Sequence, residues 1–507
     1  MKIALAQINP VIADLEGNVE RCLKAAVQAT RQDVDLVLFP SLTICGYSPR
    51  DIFFDPGFVQ AAGEAAADLA ERSQHLAPLL ISNIIPTLNK QAFQPQLQNA
   101  ALWIQDGEIR TIGGQSFLRC DDVYLEKRWF TSMPYTDPIE YMEKKFGILV
   151  GWDLFDQQKI THLREQGSQY LLNLGARAFT SFSLTQALDA ARQCQLPVLS
   201  SNLVGGNDEL IFAGQSFTIN SDSNPGYIME SFQEDIQVFH LETVKTHHPT
   251  ILNQPEELLF KALTLGVRDF FTKNNLKFAF LGISGGIDSA LVAVLAAQAL
   301  GAENVHAVAM PSRYTQPEST SSAEQLCQIQ GINFHLHPIE TLHQAFESDL
   351  TELIQNGTGA ENVQARLRAV ILMAYVNHFG GLLINTSNKT ELSLGYGTAY
   401  GDLAGTLSPI GDLTKTQVYR LARWINRDKE IIPEFILNRL PSAELRPNQV
   451  DPFDYADISP QVEELVQQNR ATPMMRAAES KRWQLGVVLK VSEKAFGSGR
   501  LIPITKK

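Results

Sequence analysis

The apolar positions of this chain fall into two successive alternating patterns. Residues 2–8, 34–40, 79–85, 100–104, 146–150, 170–173 and 197–200 are short apolar runs that predict buried strands. Between the first two, Val19, Cys22, Leu23, Ala26 and Val27 recur at helical spacing and predict a helix over 18–31 with one buried face. Residues 210–219 and 236–239 read as meandering strands. Strands alternating with helices predict a layered α/β domain over residues 1–245.

The second pattern begins with a helix over 256–272, whose apolar face carries Leu258, Leu259, Ala262, Leu263, Leu265, Gly266 and Phe270. Strands are then predicted at 278–281, 305–310, 332–338 and 382–385, with helices from 290 and over 319–330. This order predicts a doubly wound parallel sheet over 246–507, with ligands at the carboxyl ends of its strands. The polar stretch 242–255, which includes Pro249 and Pro255, marks the boundary. His247 and His248 lie in it as linker residues, since adjacent side chains rarely converge on one ion.

Composition narrows the classes. The chain has 507 residues, 44% hydrophobic and 19% charged, with a formal charge of -13. This balance argues against a general binder of nucleic acid or anionic membranes. The five cysteines (Cys22, Cys45, Cys120, Cys194, Cys327) are scattered without a C-x-x-C pair, which suits a reducing compartment and no structural zinc. No apolar run approaches membrane-spanning length. Residues 1–7 lapse at once into polar sequence and read as a first strand rather than a signal peptide, so the expected location is the cytoplasm.

The chemistry concentrates first in residues 281–290, LGISGGIDSA, between a predicted strand and a predicted helix. Gly285 and Gly286 can take backbone angles closed to other residues, and their N–H groups, with those of the helix start, would face an anion. The Ser284 and Ser289 hydroxyls add donors, and Asp288 sets a carboxylate where Mg²⁺ could be held beside phosphates. No Lys follows the glycines, so this is not the G-x-x-x-x-G-K-[ST] loop. It resembles the SGGxDS loop of the N-type ATP pyrophosphatases, which cleave ATP between the α and β phosphates and transfer AMP to an acceptor.

Three later stretches make the resemblance specific. They are ENVQARLR at 361–368, TSNKTELSLGYGTAYGD at 386–402, and PSAEL at 441–445 with ESKR at 479–482. In this order they resemble the NAD synthetases. The resemblance implies that Gly282, Ile283, Ser284, Gly285, Gly286, Ile287, Asp288, Ser289 and Thr386 bind ATP. It implies that Asn362, Arg366, Glu391, Tyr396, Thr398, Asp402 and Lys481 meet deamido-NAD, with Asn362 and Arg366 one helical turn apart on one face. Asp288 and Glu391 are the implied Mg²⁺ pair, and Lys415 and Lys481 the implied neutralisers of phosphate charge. Asp288 and Lys415 are the expected catalytic pair. A homo-oligomer is the usual form in that family.

The first domain resembles the nitrilase, or carbon–nitrogen hydrolase, superfamily: AQINP at 6–10, Gly17-Asn18, DLVLFP at 35–40 and Gly46-Tyr47 carry the likeness. That resemblance implies a four-layer αββα sandwich and a Glu–Lys–Cys amidase: a thiolate to attack an amide carbon, a base to deprotonate it and a cation for the oxyanion. The Glu position, after Phe39-Pro40, holds Ser41. The Lys position, upstream of EKRWF at 126–130, holds Gln115. The Cys position, after the apolar run 146–150, holds Gly151, and Trp152 follows. The segment 173–179, NLGARAF, lacks the N-x-S-P-type sequence expected beside a glutamine site. Cys45 and Cys120 have no partner at readable spacing and read as structural, and Asp121-Asp122 reads as a solvated loop.

The resulting expectation is an enzyme that adenylates the nicotinate carboxylate of deamido-NAD with ATP, then amidates it with free ammonia, or with ammonia from a donating partner, where intact relatives would hydrolyse glutamine in the first domain. Two alternatives are a glutamine-hydrolysing NAD synthetase with a displaced or partner-supplied glutaminase, and a non-catalytic ATP or dinucleotide sensor. Another synthetase sharing the loop, for GMP or asparagine, is disfavoured by residues 385–402.

Overall fold

The computed structural model describes residues 1–87, 96–241, 254–354 and 357–497. The chain divides into two compact units, Met1–Asn253 and Gln254–Lys507. Most of the polar stretch expected as the boundary, including His247 and His248, lies outside the described residues. Among the described residues no helix is long and apolar enough to cross a membrane.

In the first unit, two six-stranded sheets stack face to face. One runs in the spatial order Asp235–His240, Lys2–Gln7, Leu36–Leu38, Leu79–Pro86, Leu97–Gln105, Glu108–Gly114. The other runs Pro225–Ile228, Phe217–Ile219, Val198–Ser201, Tyr170–Leu174, Lys144–Val150, Ile139–Tyr141. Period-2 alternation sorts each strand between two cores. Ile3, Leu5, Leu36 and Leu38 meet Ile148, Val150, Leu172 and Leu174 between the sheets. Ala4, Ala6, Val37 and Phe39 point the other way, against the helices Leu15–Thr30 and Pro56–Arg72. On the far side Leu149 and Leu171 pack with Ile160, Leu163, Ala187 and Ala191 of the helices Gln157–Glu165 and Ser183–Gln193. The result is the expected αββα sandwich. Asp14 and Asp55 cap the first two helices by accepting the Gly17 and Gly57 amides.

In the second unit, four parallel strands lie in the order Asn333–Leu336, Val305–Ala309, Ala279–Gly282, Leu382–Leu383. One face, through Phe280, Val308, Met310 and Leu383, packs on Ile371 and Leu372 of the long helix Thr358–Phe379. The helix Ile287–Leu300 is buried nearly all round, as its sequence IDSALVAVLAAQAL requires, and lies between the sheet and the helix Pro255–Lys273. The first strand of the chain order sits second from one edge, so strand order reverses there. That switch point is where the SGGIDS loop leaves the sheet.

Candidate functional site

The strand ends of the second unit open on a cavity of about 280 Å³. It is lined by Gly282, Ile283, Ser284, Gly286, Ile287, Asp288, Thr386, Glu391, Tyr396, Asp402 and Lys415 among others. Eleven residues expected at the site from sequence therefore share one cavity.

The loop is built by its small residues. Gly285 has φ +75°, and a Cβ there would lie 2.2 Å from the Ser319 carbonyl oxygen, so only glycine lets the loop press against the helix Pro317–Gln330. Gly286 differs from expectation: at φ -92° it is ordinary extended backbone at the helix N-cap. The serine hydroxyls differ too. The Ser289 Oγ donates to the Gly286 carbonyl (3.0 Å) and lies 3.2 Å from the Ser284 Oγ, so this pair braces the loop internally.

At the loop's end Lys415 Nζ lies 2.5 Å from Asp288 Oδ2 and 2.8 Å from Glu391 Oε1. Lys415 begins a helix capped by Thr414 and Gln417 in a reciprocal box. Burial opposes its charge, but the two carboxylates outweigh that and hold Lys415 well above the ordinary lysine range. Burial pushes the Glu391 carboxyl up. Asn388 donates to Asp288 Oδ1 at 2.8 Å and also caps the helix Lys389–Leu394 that carries Glu391. Asp288 and Glu391 thus converge on one point, as the expected metal pair would, but the cation between them in this structure is the Lys415 ammonium. Among the described residues, five carboxylates line the cavity (Asp288, Glu391, Asp402, Glu444, Asp451) against three cations (Arg368, Lys415, Arg439). A polyphosphate entering so acidic a site needs added positive charge, and paired carboxylate oxygens suit Mg²⁺.

The expected acceptor residues divide. Tyr396 and Asp402 line the cavity. The Tyr396 hydroxyl donates to Asp451 (2.9 Å), which also accepts from Tyr455 (2.9 Å). Burial pushes the Asp402 carboxyl up to about 6. Asn362 and Arg366 do lie on one helix face, and that face meets the 396–402 loop: Asn362 Oδ1 accepts from Thr398 Oγ1 (2.7 Å), and Arg366 Nε donates to the Ala399 carbonyl (3.2 Å). Lys481, expected to neutralise phosphate charge, is bonded within the protein in this structure. Its ammonium donates to the Gly395 and Gly397 carbonyls, each at 2.7 Å, and so fastens the same loop. Sequence reasoning missed Arg368, Arg439, Tyr419 and Asp451, which all line the cavity. Arg368 lay in the quoted 361–368 stretch, but the one-turn spacing from Asn362 singled out Arg366 instead. The other three carry no local signal.

In the first unit the positions expected for an amidase come together. Asn99 Nδ2 donates to Ser41 Oγ (3.0 Å) and to Gln115 Oε1 (2.9 Å). Gln115 Nε2 donates to Glu126 Oε2 (2.8 Å), and Glu126 also accepts from Tyr47 (2.9 Å) and the Arg119 amide (2.8 Å). Ser41 and Gln115 are buried. Gly151 has φ +60°, and a Cβ on it would lie 2.7 Å from the Gln115 Cδ. A serine, an amide and a glycine therefore meet where a carboxylate, an ammonium and a thiol were sought. Trp152 is buried edge-on against Tyr124, and the Arg119 guanidinium stacks over both rings at 4.3 and 4.1 Å. Arg177, in the divergent 173–179 segment, is buried with its guanidinium over Phe217, and burial lowers its pKa to about 10. Burial pushes the Cys45 thiol up to about 12, and it donates to Asn83 at 3.1 Å, as an inert structural thiol does. Cys120 is exposed, and Asp121 pairs with Arg119.

Comparison with known proteins agrees with both halves. Residues 2–226 match the carbon-nitrogen hydrolase family, and residues 259–493 match the NAD synthase family. The glutamine-dependent NAD(+) synthetase of Synechocystis sp. is 36% identical, covering 99% of this chain and 98% of that one. The protein of the same name from Thermotoga maritima is 31% identical over 100% and 99%. The structure of glutamine-dependent NAD+ synthetase from Acinetobacter baumannii, in complex with ADP, superposes with a TM-score of 0.81 at 28% identity, covering 99% of this chain and 98% of that one. Two stacked sheets with a carbon–nitrogen hydrolase pattern, then a parallel sheet carrying an SGGIDS loop, place this chain in the family of two-domain NAD synthetases.

Proposed function

We propose that this chain makes NAD from deamido-NAD and ATP with free ammonia as the nitrogen source. The observation that carries the ammonia reading is the meeting of Ser41, Gln115 and Gly151, three residues with no thiolate, base or cation among them. The nicotinate carboxylate attacks the α-phosphorus of ATP, forming an acyl adenylate and releasing pyrophosphate. Ammonia then attacks the activated carbonyl, giving NAD, AMP and a proton. Adenylation is needed because a free carboxylate is a poor acyl donor.

In this reading the backbone of residues 282–289 cradles the ATP phosphates at a helix N-terminus, and Thr386 approaches from the neighbouring strand end. Asp288 and Glu391 would hold Mg²⁺, which when bound offsets phosphate charge and shapes the triphosphate. Lys415, displaced from between them, would follow the charge onto the departing pyrophosphate. Tyr396 and Asp402 line the acceptor's place, and Asn362, Arg366, Thr398 and Lys481 hold the loop that carries them. The first unit, without amidase chemistry, serves folding, self-association or docking of an ammonia donor.

The relatives support a second reading, since those compared above are named as glutamine-dependent. There glutamine is the nitrogen source, through a glutaminase displaced within the chain or supplied by a partner. Purified protein given ATP, Mg²⁺ and deamido-NAD, with either ammonium or glutamine, separates the two. NAD is expected with ammonium and none with glutamine. Glutamine-supported NAD from the purified chain alone sinks the ammonia reading.

A further inference from the structure

Among the described residues three cations line the cavity of the second unit, and two are already engaged with carboxylates. Lys415 is bridged to Asp288 and Glu391. Arg439 pairs with Glu444 (2.9 Å) and donates to Ser319 (2.6 Å). Arg368 stands apart. Its Nε donates to the Met310 carbonyl at 3.0 Å, and no carboxylate among the described residues reaches ion-pair distance. Asp402 and Glu444 act on it only from further off.

This arrangement orients a guanidinium and, among the described residues, leaves its two Nη nitrogens without a hydrogen bond. One bond to a backbone carbonyl, just past the strand Val305–Ala309, fixes the plane. One turn on in the same helix, Leu372 lies beside Gly282 and Met310, and Arg368 lines the same cavity as the loop that begins there. Burial lowers its pKa to about 10, which leaves it charged at neutral pH. Arg368 is half-buried on the cavity wall. A partly desolvated cation with no counter-ion in reach gains from an oxyanion, because a guanidinium facing one makes two parallel charge-assisted bonds.

We propose that Arg368 binds an oxyanion of the bound substrates through the two Nη nitrogens that its bond to Met310 leaves free. The inference rests on the NAD synthetase reading and adds one specific contact to it. The oxyanion belongs to a phosphate of ATP or to the dinucleotide acceptor.

The test uses the full chain with Arg368→Gln and Arg368→Lys. Binding of ATP with Mg²⁺ and of deamido-NAD is measured calorimetrically, beside the melting temperature and the steady-state KM for each substrate. Arg368→Gln is expected to weaken one ligand by about 10- to 100-fold, as loss of charged hydrogen bonds does. Arg368→Lys is expected to recover part of that loss, with the melting temperature unchanged. Weakened ATP with intact dinucleotide binding assigns the oxyanion to ATP, and the converse assigns it to the acceptor. Two outcomes overturn the inference: both ligands within 3-fold of wild type in Arg368→Gln, or equal losses for both ligands with a lowered melting temperature in both variants, as mere support of Met310 would give. A wild-type protein that binds neither nucleotide overturns the functional reading as well, which separates that failure from this one.

Discussion

Gly151 and Gln115 face each other so closely that a Cβ on the glycine would lie 2.7 Å from the glutamine Cδ. The position expected for a nucleophile and the position expected for its lysine are thus packed directly against one another. Gly151→Cys therefore adds atoms to an occupied space, at a backbone angle of φ +60° that disfavours side chains. The variant is expected to lose about 1–3 kcal/mol of stability in urea denaturation. It is also expected to release no ammonia from glutamine. Glutaminase activity in this single variant would show that the site lacks only its thiol.

Glu126 ties the same network to pH. Burial outweighs its three hydrogen bonds and raises its carboxyl to about 7, above the ordinary glutamate value. The folded state then keeps a proton that the unfolded chain gives up. Its contribution to stability is complete below the ordinary glutamate pKa and is lost as pH rises through about 7. Denaturation midpoints of wild type should fall across that window more steeply than those of Glu126→Gln. Parallel slopes would mean that Glu126 is ionised throughout.

Lys415 is the only ammonium between Asp288 and Glu391 among the described residues. Lys415→Met leaves two half-buried carboxylates opposed. Breaking a buried pair in this way is expected to cost about 3–5 kcal/mol. Part of that should return as pH is lowered and Glu391, whose carboxyl burial already pushes up, takes up a proton. Loss of this charge should also lower kcat for NAD formation by about 100-fold or more. Full activity in Lys415→Met would remove it from the reaction.

Lys481 makes a different prediction because its ammonium is committed to the Gly395 and Gly397 carbonyls. Lys481→Met should loosen the loop that carries Tyr396 and Asp402. The KM for deamido-NAD is expected to rise about 10-fold, with the KM for ATP little changed. An equal rise for ATP would restore a direct phosphate role.

Much of this was legible in the chain. The αββα order and the parallel sheet follow from period-2 and helical spacing, because each strand such as Lys2–Gln7 or Ala279–Gly282 is buried on both faces. The SGGIDS loop is local: its strand, small residues and helix are contiguous, so Gly282 to Asp288 could be placed at a strand–helix turn from sequence. Asn362 and Arg366 were rightly put on one face, since helix periodicity alone decides that.

What only the tertiary structure decided was where charges and hydrogen bonds go. Nothing near position 415 announces Asp288, which is 127 residues away, and nothing near 481 announces the carbonyls of 395 and 397. Arg368 and Arg366 stand two positions apart in one motif, yet one meets the 396–402 loop and the other lines the cavity. The sequence determined which groups exist and which face of each element they occupy. Which partner each charge finds depends on long-range packing, because burial removes water as the default partner and leaves only the groups that the fold brings within reach.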